Sequence, residues 1–452
     1  GFDALLKQEL IKTPMVRLKD EIKEISIDDA VNYVNRKIQG IKARYGEDSI
    51  AIFASPGMTN EELYLIKELA QTIKTPYVAS FGNSPGGIKE VLGVDGSTVT
   101  LEEVTAADVI LLTGCHLMED YAVVGVKVRK ALGRGGKLIV VNEVRTIADD
   151  WADLAVRPQN NTEFIKALIK GLLEEGVNPG IINLEGLEEL KKSVEDASIT
   201  DEVKEVVKLF GKAKNAVVIF DHDRLTKEAE KLLAQLAVIS GHLGRPRNGL
   251  LMLRSKNNSQ GISDLGLNLD NEFLLKLIED GRIKAALIFG EDPVAEDDSL
   301  KDIFARLEFL MVQDSTLTET AKLAEVVVPA QSILSKKGTF TSFEGRIQWY
   351  EGPNKVENIE DWKFILKLAN SLGYGKNFSK VEEIDFEISY RVPAYKDIRL
   401  AALGKGGVMK KAGIDGIRLS AARNTKMFKE RKLTDALERK FIKKLIETGI
   451  LK

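Results

Sequence analysis

The 452-residue chain holds one cysteine, Cys115, and three histidines. One thiol builds neither a disulfide framework nor a Cys-ligated zinc site nor an iron–sulfur cluster, and so few imidazoles leave little for a multi-histidine metal site. No apolar run reaches the roughly 18–20 residues that a membrane-spanning helix needs, so no transmembrane segment is expected. Charge of one sign is not in excess: 65 Lys+Arg stand against 68 Asp+Glu, a net charge of -3. Nucleic-acid binding calls for a basic surplus, so no nucleic-acid partner is expected. A heptad array, a short repeat, a low-complexity tract and a signal peptide are also missing. The chain opens Gly1-Phe2-Asp3-Ala4 with no initiator methionine, as a chain starting partway into a longer protein would. Scarce cysteine with abundant Lys and Glu fits a cytoplasmic protein.

Hydrophobic residues make up 44% and charged residues 29%, enough to bury large cores. Strand-like apolar runs alternate with amphipathic helical patterns, which predicts an α/β fold with largely parallel sheets flanked by helices. Strands are expected at 50–54, 109–112, 138–141, 216–220, 285–290 and 309–314. Thr59-Asn60-Glu61-Glu62 supplies an N-cap for a helix carrying Leu63, Ile66, Leu69 and Ala70. A helix through about Leu132 is expected after Gly114, and residues 175–212 read as charged helical sequence on a solvent face. In open α/β sheets ligands bind beyond the carboxyl ends of strands, which directs attention to the loops after Leu112, Val141, Phe289 and Val312. Residues 401–452 carry 14 Lys/Arg and 5 Asp/Glu, so the remainder is at -12. That stretch reads either as a solvated amphipathic helix pair or as a basic tail that docks on an acidic partner subunit.

Gly133-Arg134-Gly135-Gly136 precedes a strand instead of following one, which makes it a turn and not a dinucleotide loop. Gly82-Asn83-Ser84-Pro85-Gly86-Gly87 enters the helix Ile88–Leu92, as a plain turn or as a set of N–H groups aimed at an anion. Cys115 and His116 are adjacent and poorly placed to act as a nucleophile pair. Asp221-His222-Asp223 has the composition of a metal site, but neighbouring loop side chains diverge, so an exposed turn is expected. His242 reads as a packing or helix-end residue. Gly244-Arg245-Pro246-Arg247-Asn248-Gly249, followed by Arg254-Ser255-Lys256-Asn257-Asn258-Ser259-Gln260-Gly261, gathers glycines, amides and cations into 18 residues. That density suits a polar, multi-phosphate, heterocyclic ligand. Asp314-Ser315-Thr316-Leu317-Thr318-Glu319-Thr320 offers a carboxylate and hydroxyls to a guanine or ribose edge, or else a helix N-cap.

In their order these segments resemble the molybdopterin oxidoreductase superfamily, which includes formate dehydrogenase, nitrate reductase and the large iron–sulfur subunit of NADH–quinone oxidoreductase. The resemblance runs from about Thr13 to Gly373. It includes Lys12-Thr13-Pro14-Met15-Val16-Arg17, Thr113-Gly114-Cys115, Gly244-Arg245-Pro246, Arg254 with Asn257-Asn258 and Gln260-Gly261, and Gly338-Thr339 with Glu344-Gly345-Arg346. It implies two α/β lobes: a discontinuous one near 1–80 and 251–380, and an inserted Rossmann-like one near 81–250. A basic, mostly helical tail would occupy 381–452. An upstream iron–sulfur domain and a C-terminal barrel, common in the family, are not expected in this chain. The implied cofactor is molybdopterin guanine dinucleotide, with Gly114, Arg145, Arg157, Asn257, Asn258, Gln260, Gly290, Asp314 and Thr318 as its contacts and Arg254 at the substrate.

Several positions depart from the family. Gly82 and Asn83 stand where formate dehydrogenase-like members have a metal-binding Cys or selenocysteine and then His. Gly82 can ligate nothing and Asn83 cannot do imidazole proton transfer. Asn142-Glu143-Val144 replaces Asp-Pro-Arg, and Asn160-Asn161 replaces Thr-Asp after Arg157-Pro158-Gln159. Ser335 and Ser342 replace a Glu and an Asn. No metal ligand is therefore assigned, and retention of the pterin is left open. The reading is a subunit of an NADH-, ferredoxin-, formate- or hydrogen-linked electron-transfer complex with iron–sulfur and flavin subunits as partners. The alternatives are an active molybdenum or tungsten enzyme acting on a small oxyanion such as formate, and a non-catalytic interaction module.

Overall fold

The computed structural model describes residues 9–18, 21–176, 186–355, 359–396, 398 and 407–410. Its strands are β1 (Met15–Leu18), β2 (Glu21–Glu24), β3 (Ile50–Ala54), β4 (Val78–Ala79), β5 (Val109–Thr113), β6 (Lys137–Val141), β7 (Leu154–Val156), β8 (Ala216–Asp221), β9 (Gly249–Leu253), β10 (Ala285–Phe289), β11 (Phe309–Asp314), β12 (Val326–Pro329), β13 (Lys337–Thr341), β14 (Arg346–Glu351) and β15 (Val408–Met409). The chain divides into two compact units. Among the described residues the first comprises those within 9–84, 256–342 and 346–410; the second comprises those within 85–255 and 343–345. Of the tail, only the helix Val381–Arg391 and a few later residues are described, so the expected basic helical segment lies outside the described residues.

The first unit is built on a seven-stranded sheet in the order β2-β1-β12-β11-β10-β3-β4, parallel from β12 to β4. Strands such as Ile50–Ala54 and Ala285–Phe289 are buried at every residue, as a parallel sheet covered on both faces requires. Alternate side chains feed two cores. Ile52, Leu287 and Met311 pack with helices Ile27–Tyr45, Asn60–Ile73 and Asp361–Ser371. Phe53, Ile288 and Val312 pack with helix Asn271–Glu279 and Phe304. The chain leaves β3 toward β4 on one side, whereas β10, β11 and β12 extend the other, so the order reverses between β3 and β10. A small antiparallel sheet, β13-β14-β15, completes the unit.

The second unit is an all-parallel sheet in the order β7-β6-β5-β8-β9, with its reversal between β5 and β8. Helices Asn161–Glu174, Asp201–Gly211 and Lys227–Ile239 cover one face, and helix Ala122–Leu132 covers the other. The α/β class with largely parallel sheets is as expected. Three local readings need correction. The single helix expected before Leu132 is two, Leu117–Asp120 and Ala122–Leu132. The expected exposed turn at 221–223 has Asp221 and His222 buried. The polar stretch from Gly244 to Gly261 is cut by β9. A five-residue strand rises about 17 Å, so Arg245 and Arg247 sit at one end of the sheet and Arg254 at the other. The two stretches are therefore not one continuous ligand-facing loop. At the first end Asn248 instead takes the Ala216 N–H on Oδ1 and donates to Asn215, tying strands together.

Helix Asn60–Ile73 begins with three polar residues that are all buried: Asn60, Glu61 and Glu62. Thr59 and Glu62 form a reciprocal capping box. Thr339 donates its N–H and hydroxyl to Glu61, and Asn60 donates to the hydroxyls of Thr339 and Thr341. Acidic residues here also meet the positive end of the helix dipole. Asp385 packs against this cluster, and burial together with the adjacent Glu61 carboxylate pushes its pKa up to about 11. The folded state therefore keeps a proton that the unfolded chain releases near pH ~4. This proton-linked stability is present at acid pH and is lost as pH rises from about 4 toward 11. Asp385→Asn should stabilise the chain at pH 8 by roughly 1–2 kcal/mol and flatten the pH dependence, checked by urea unfolding at pH 5, 7 and 9.

Candidate functional site

A cavity of about 120 Å³ opens in the first unit at the carboxyl ends of β3, β10, β11 and β12, where the strand order reverses. Gly290 follows β10 with φ +68°, and a Cβ there would lie 3.2 Å from Ser55 Cβ, so glycine keeps the crevice between β3 and β10 open. Ser55 Oγ accepts the Gly57 N–H and fixes the loop after β3. Asp314 ends β11, and its Oδ1 accepts the amides of Ser315 and Thr316. Burial raises its pKa, a rise opposed by those amides. Gln313 is buried against the cavity with its Nε2 on Pro329 O and its Oε1 without a partner among the described residues.

The remaining wall is an ion network. Lys336 Nζ lies 2.6 Å from Asp361 Oδ2 and 2.9 Å from Glu62 Oε2, with all three side chains buried. Burial alone would depress the Lys336 pKa, but the two carboxylates outweigh it and raise it. Glu62 is pushed up to about 7 by burial, against the pull of Lys336. Gln331 and Asp361 exchange hydrogen bonds, Gln331 N–H to Oδ1 at 2.8 Å and Asp361 N–H to Oε1 at 3.1 Å. The cavity thus offers a carboxylate, a serine hydroxyl, an orphan amide oxygen and exposed backbone, a donor and acceptor set matched to a purine edge or ribose hydroxyls.

Of the residues expected at a cofactor in this unit, Gly290 and Asp314 meet at the cavity. Thr318 does not line it: its hydroxyl takes the Ala321 N–H. Asn258 ties Met58 O to the Thr341 N–H, Gln260 donates to Asp264, and Asn257 is exposed. Gly82 is exposed with φ +70°, and a Cβ on it would lie 4.0 Å from Lys256 Nζ. Asn83 is buried and donates to Ser80 Oγ and Phe81 O. Glu291 is buried beside them, hydrogen-bonded by Ser80, and burial pushes it up to about 8 against the nearby Lys256. Ser55, Gln313, Gln331, Lys336 and Asp361 were not foreseen. The TNEE capping signal around Glu62 was visible, but nothing in the sequence joins it to Lys336.

In the second unit the expected contacts are engaged within the chain. Gly114 has φ +55°, and a Cβ there would lie 2.3 Å from Leu225. Asn142 bridges the N–H and C=O of Cys115. Arg145 and Arg157 are exposed and pair with Asp150 and Asp149. The Gly86 and Gly87 amides do meet anions, but these are the side chains of Asp95 and Glu230. Arg254 pairs with Asp95, and His222 Nδ1 lies 2.6 Å from Glu230. Cys115 is buried, which raises its thiol pKa, so it is no nucleophile. His242 is a packing residue: its ring meets Phe210 edge-on and Nε2 reaches Ala213 O. Among the described residues no group of three His, Cys, Asp or Glu could hold a metal, and no helix is long and apolar enough to cross a membrane.

The sequence model of the molybdopterin oxidoreductase family matches residues 11–371. The chain is 31% identical to the F420-dependent formate dehydrogenase subunit alpha of Methanocaldococcus jannaschii, over 89% of this chain and 68% of that one. It is 28% identical to F420-dependent formate dehydrogenase 2 subunit alpha of Methanococcus maripaludis, over 90% and 69%. In fold it is similar to acetylene hydratase from Pelobacter acetylenicus, with TM-score 0.70 and 16% identity, over 86% of this chain and 64% of that one. It is also similar to a chain of the formyltransferase/hydrolase complex of Methylorubrum extorquens, with TM-score 0.57 and 15% identity, over 79% and 98%. At such identities these two likenesses concern the fold alone.

Lys336→Met should destabilise the chain by about 3–5 kcal/mol, because it strands two buried carboxylates. The triple variant with Glu62→Gln and Asp361→Asn should recover most of that loss. Urea unfolding of both variants checks this.

Proposed function

Because the chain belongs to the molybdopterin oxidoreductase family, we propose that it is the pterin-cradling part of a cytoplasmic multi-subunit electron-transfer enzyme, with iron–sulfur and flavin subunits as partners and no protein ligand to a metal. Both formate dehydrogenase relatives are named as alpha subunits, which supports partner subunits. The nucleotide end of the cofactor fits the first unit: the cavity between β3 and β10 is base-sized, and the orphan Gln313 Oε1 and the Asp314 carboxylate can receive N–H or O–H donors. Ser55, Gln313 and Asp314 would hold it, and Gly290 leaves it room. When bound, the group would bring a pterin whose own sulfurs are the sole donors left to a metal, because this chain adds none, so a metal on it would be weakly held.

The observation that carries the reading is Gly82. It has no donor atom, and the place beside it faces a lysine ammonium. A metal cation gains nothing from either, so the residues present do not fit a protein-ligated metal. With one cysteine in the whole chain, electrons must reach this subunit through centres held elsewhere.

A second reading, an active formate-oxidising enzyme, is favoured by the likeness to formate dehydrogenase alpha subunits and by Arg254, the guanidinium expected at the substrate anion. Elemental analysis and pterin fluorescence of the purified protein separate the two. The expected result is pterin dinucleotide, or its nucleotide fragment, with molybdenum and tungsten far below one atom per chain. Stoichiometric metal together with formate oxidation would exclude the first reading. Asp314→Ala should weaken retention of the pterin nucleotide by about tenfold, the cost of a lost hydrogen bond to a charged group. Quantifying bound pterin after gel filtration checks this, and unchanged retention would move the site elsewhere.

A further inference from the structure

Arg254 lies one residue past the carboxyl end of β9 with its side chain 1% exposed. A guanidinium so buried must be neutralised. The partner is Asp95, 4% exposed, whose Oδ1 accepts from Arg254 Nη2 at 3.0 Å. The second carboxylate oxygen accepts the Gly86 N–H at 3.3 Å. Asp95 Oδ1 also packs where a side chain on Gly86 would begin, 2.3 Å from that ideal Cβ. Beside it, Glu230 accepts the Gly87 N–H at 2.6 Å and pairs with His222. Arg254 Nε and Nη1 have no hydrogen-bond partner among the described residues.

These groups form an anion receptor of one guanidinium and two glycine amides, and the anions it receives are carboxylates of the same chain. A guanidinium fork binds a carboxylate best with two parallel N–H donors. Asp95 takes one of them and brings a full negative charge to the place a free oxyanion would approach. We propose that Asp95 is a built-in carboxylate ligand of Arg254 and the residue that sets this site against small free oxyanions such as formate. Removing it leaves a hole of carboxylate size bounded by a buried guanidinium and the Gly86 N–H. This rests on the placing of Arg254 at a substrate anion in the second reading above, and it gives a physical reason why the first reading, without formate oxidation, would hold.

The test uses the full chain with sodium formate as the probe, sodium chloride as the control, and four proteins: wild type, Asp95→Ala, Asp95→Ser and Asp95→Ala/Arg254→Gln. By isothermal titration, Asp95→Ala should bind formate at least about tenfold more tightly than wild type, and the double variant should lose that binding. Formate should raise the unfolding midpoint of Asp95→Ala and leave that of wild type unmoved, with chloride affecting neither. Asp95→Ser removes the carboxylate and keeps a small polar side chain, so it reports on the site even if the alanine variant folds poorly, and it too should gain formate binding. Formate bound by wild type as tightly as by either variant would overturn the proposal, as would a folded Asp95→Ala or Asp95→Ser that binds none. The two readings fail separately. Stoichiometric metal in a wild type that ignores formate would overturn the metal-free reading and leave the role of Asp95 standing. Formate binding to metal-free wild type would do the reverse.

Discussion

One ammonium group, Lys336 Nζ, holds the candidate site of the first unit together. It joins Glu62 at the start of helix Asn60–Ile73 to Asp361 at the start of helix Asp361–Ser371, from a position on the turn into β13. Each carboxylate lies in the first turn of a helix, where the dipole already favours negative charge. The lysine neutralises one of the two negative charges and bonds both carboxylates, which lowers the cost of burying them together. Through Gln331 the same network reaches the loop after β12, so the cavity wall, two helices and the edge of the sheet are set by one arrangement.

The two units treat the ends of their strands in opposite ways. In the first, the crevice at the strand reversal is kept open by Gly290, and the buried amide oxygen of Gln313 has no partner among the described residues. In the second, the equivalent ends of the strands are filled: Leu225 packs over Gly114, Asn142 bonds the backbone of Cys115, and Asp95 and Glu230 take the Gly86 and Gly87 amides. Fixed carboxylates inside a protein cost no association entropy, so they outcompete a free anion of the same chemistry. The same kind of strand-end loop can therefore stay open in one unit and become internal structure in the other.

Legibility in the sequence followed element type. Ile50–Ala54, Val109–Thr113, Ala216–Asp221 and Ala285–Phe289 stand out because strands buried on both faces are continuous apolar runs. Leu154–Val156 is a short edge strand with one exposed residue, and Gly249–Leu253 hides between two cation-rich stretches. Gly290 and Asp314 could be picked out because each directly follows or ends such a run, where α/β folds place ligands. Arg254, Asn258 and Thr318 have the right chemistry in the right neighbourhood, yet their partners are other residues of the chain, and composition carries no sign of that.

From the sequence alone came the α/β class, the strand runs and the family resemblance, because each depends on residue type and on spacing within a few tens of residues. The partnerships were decided only in the tertiary structure. Lys336 meets Glu62 across 274 positions and Arg254 meets Asp95 across 159. Whether a charged side chain is a free ligand donor or a neutralised structural ion is settled by which opposite charge the fold brings within about 3 Å of it, and hydrogen bonding and Coulomb attraction act over that distance without regard to separation along the chain.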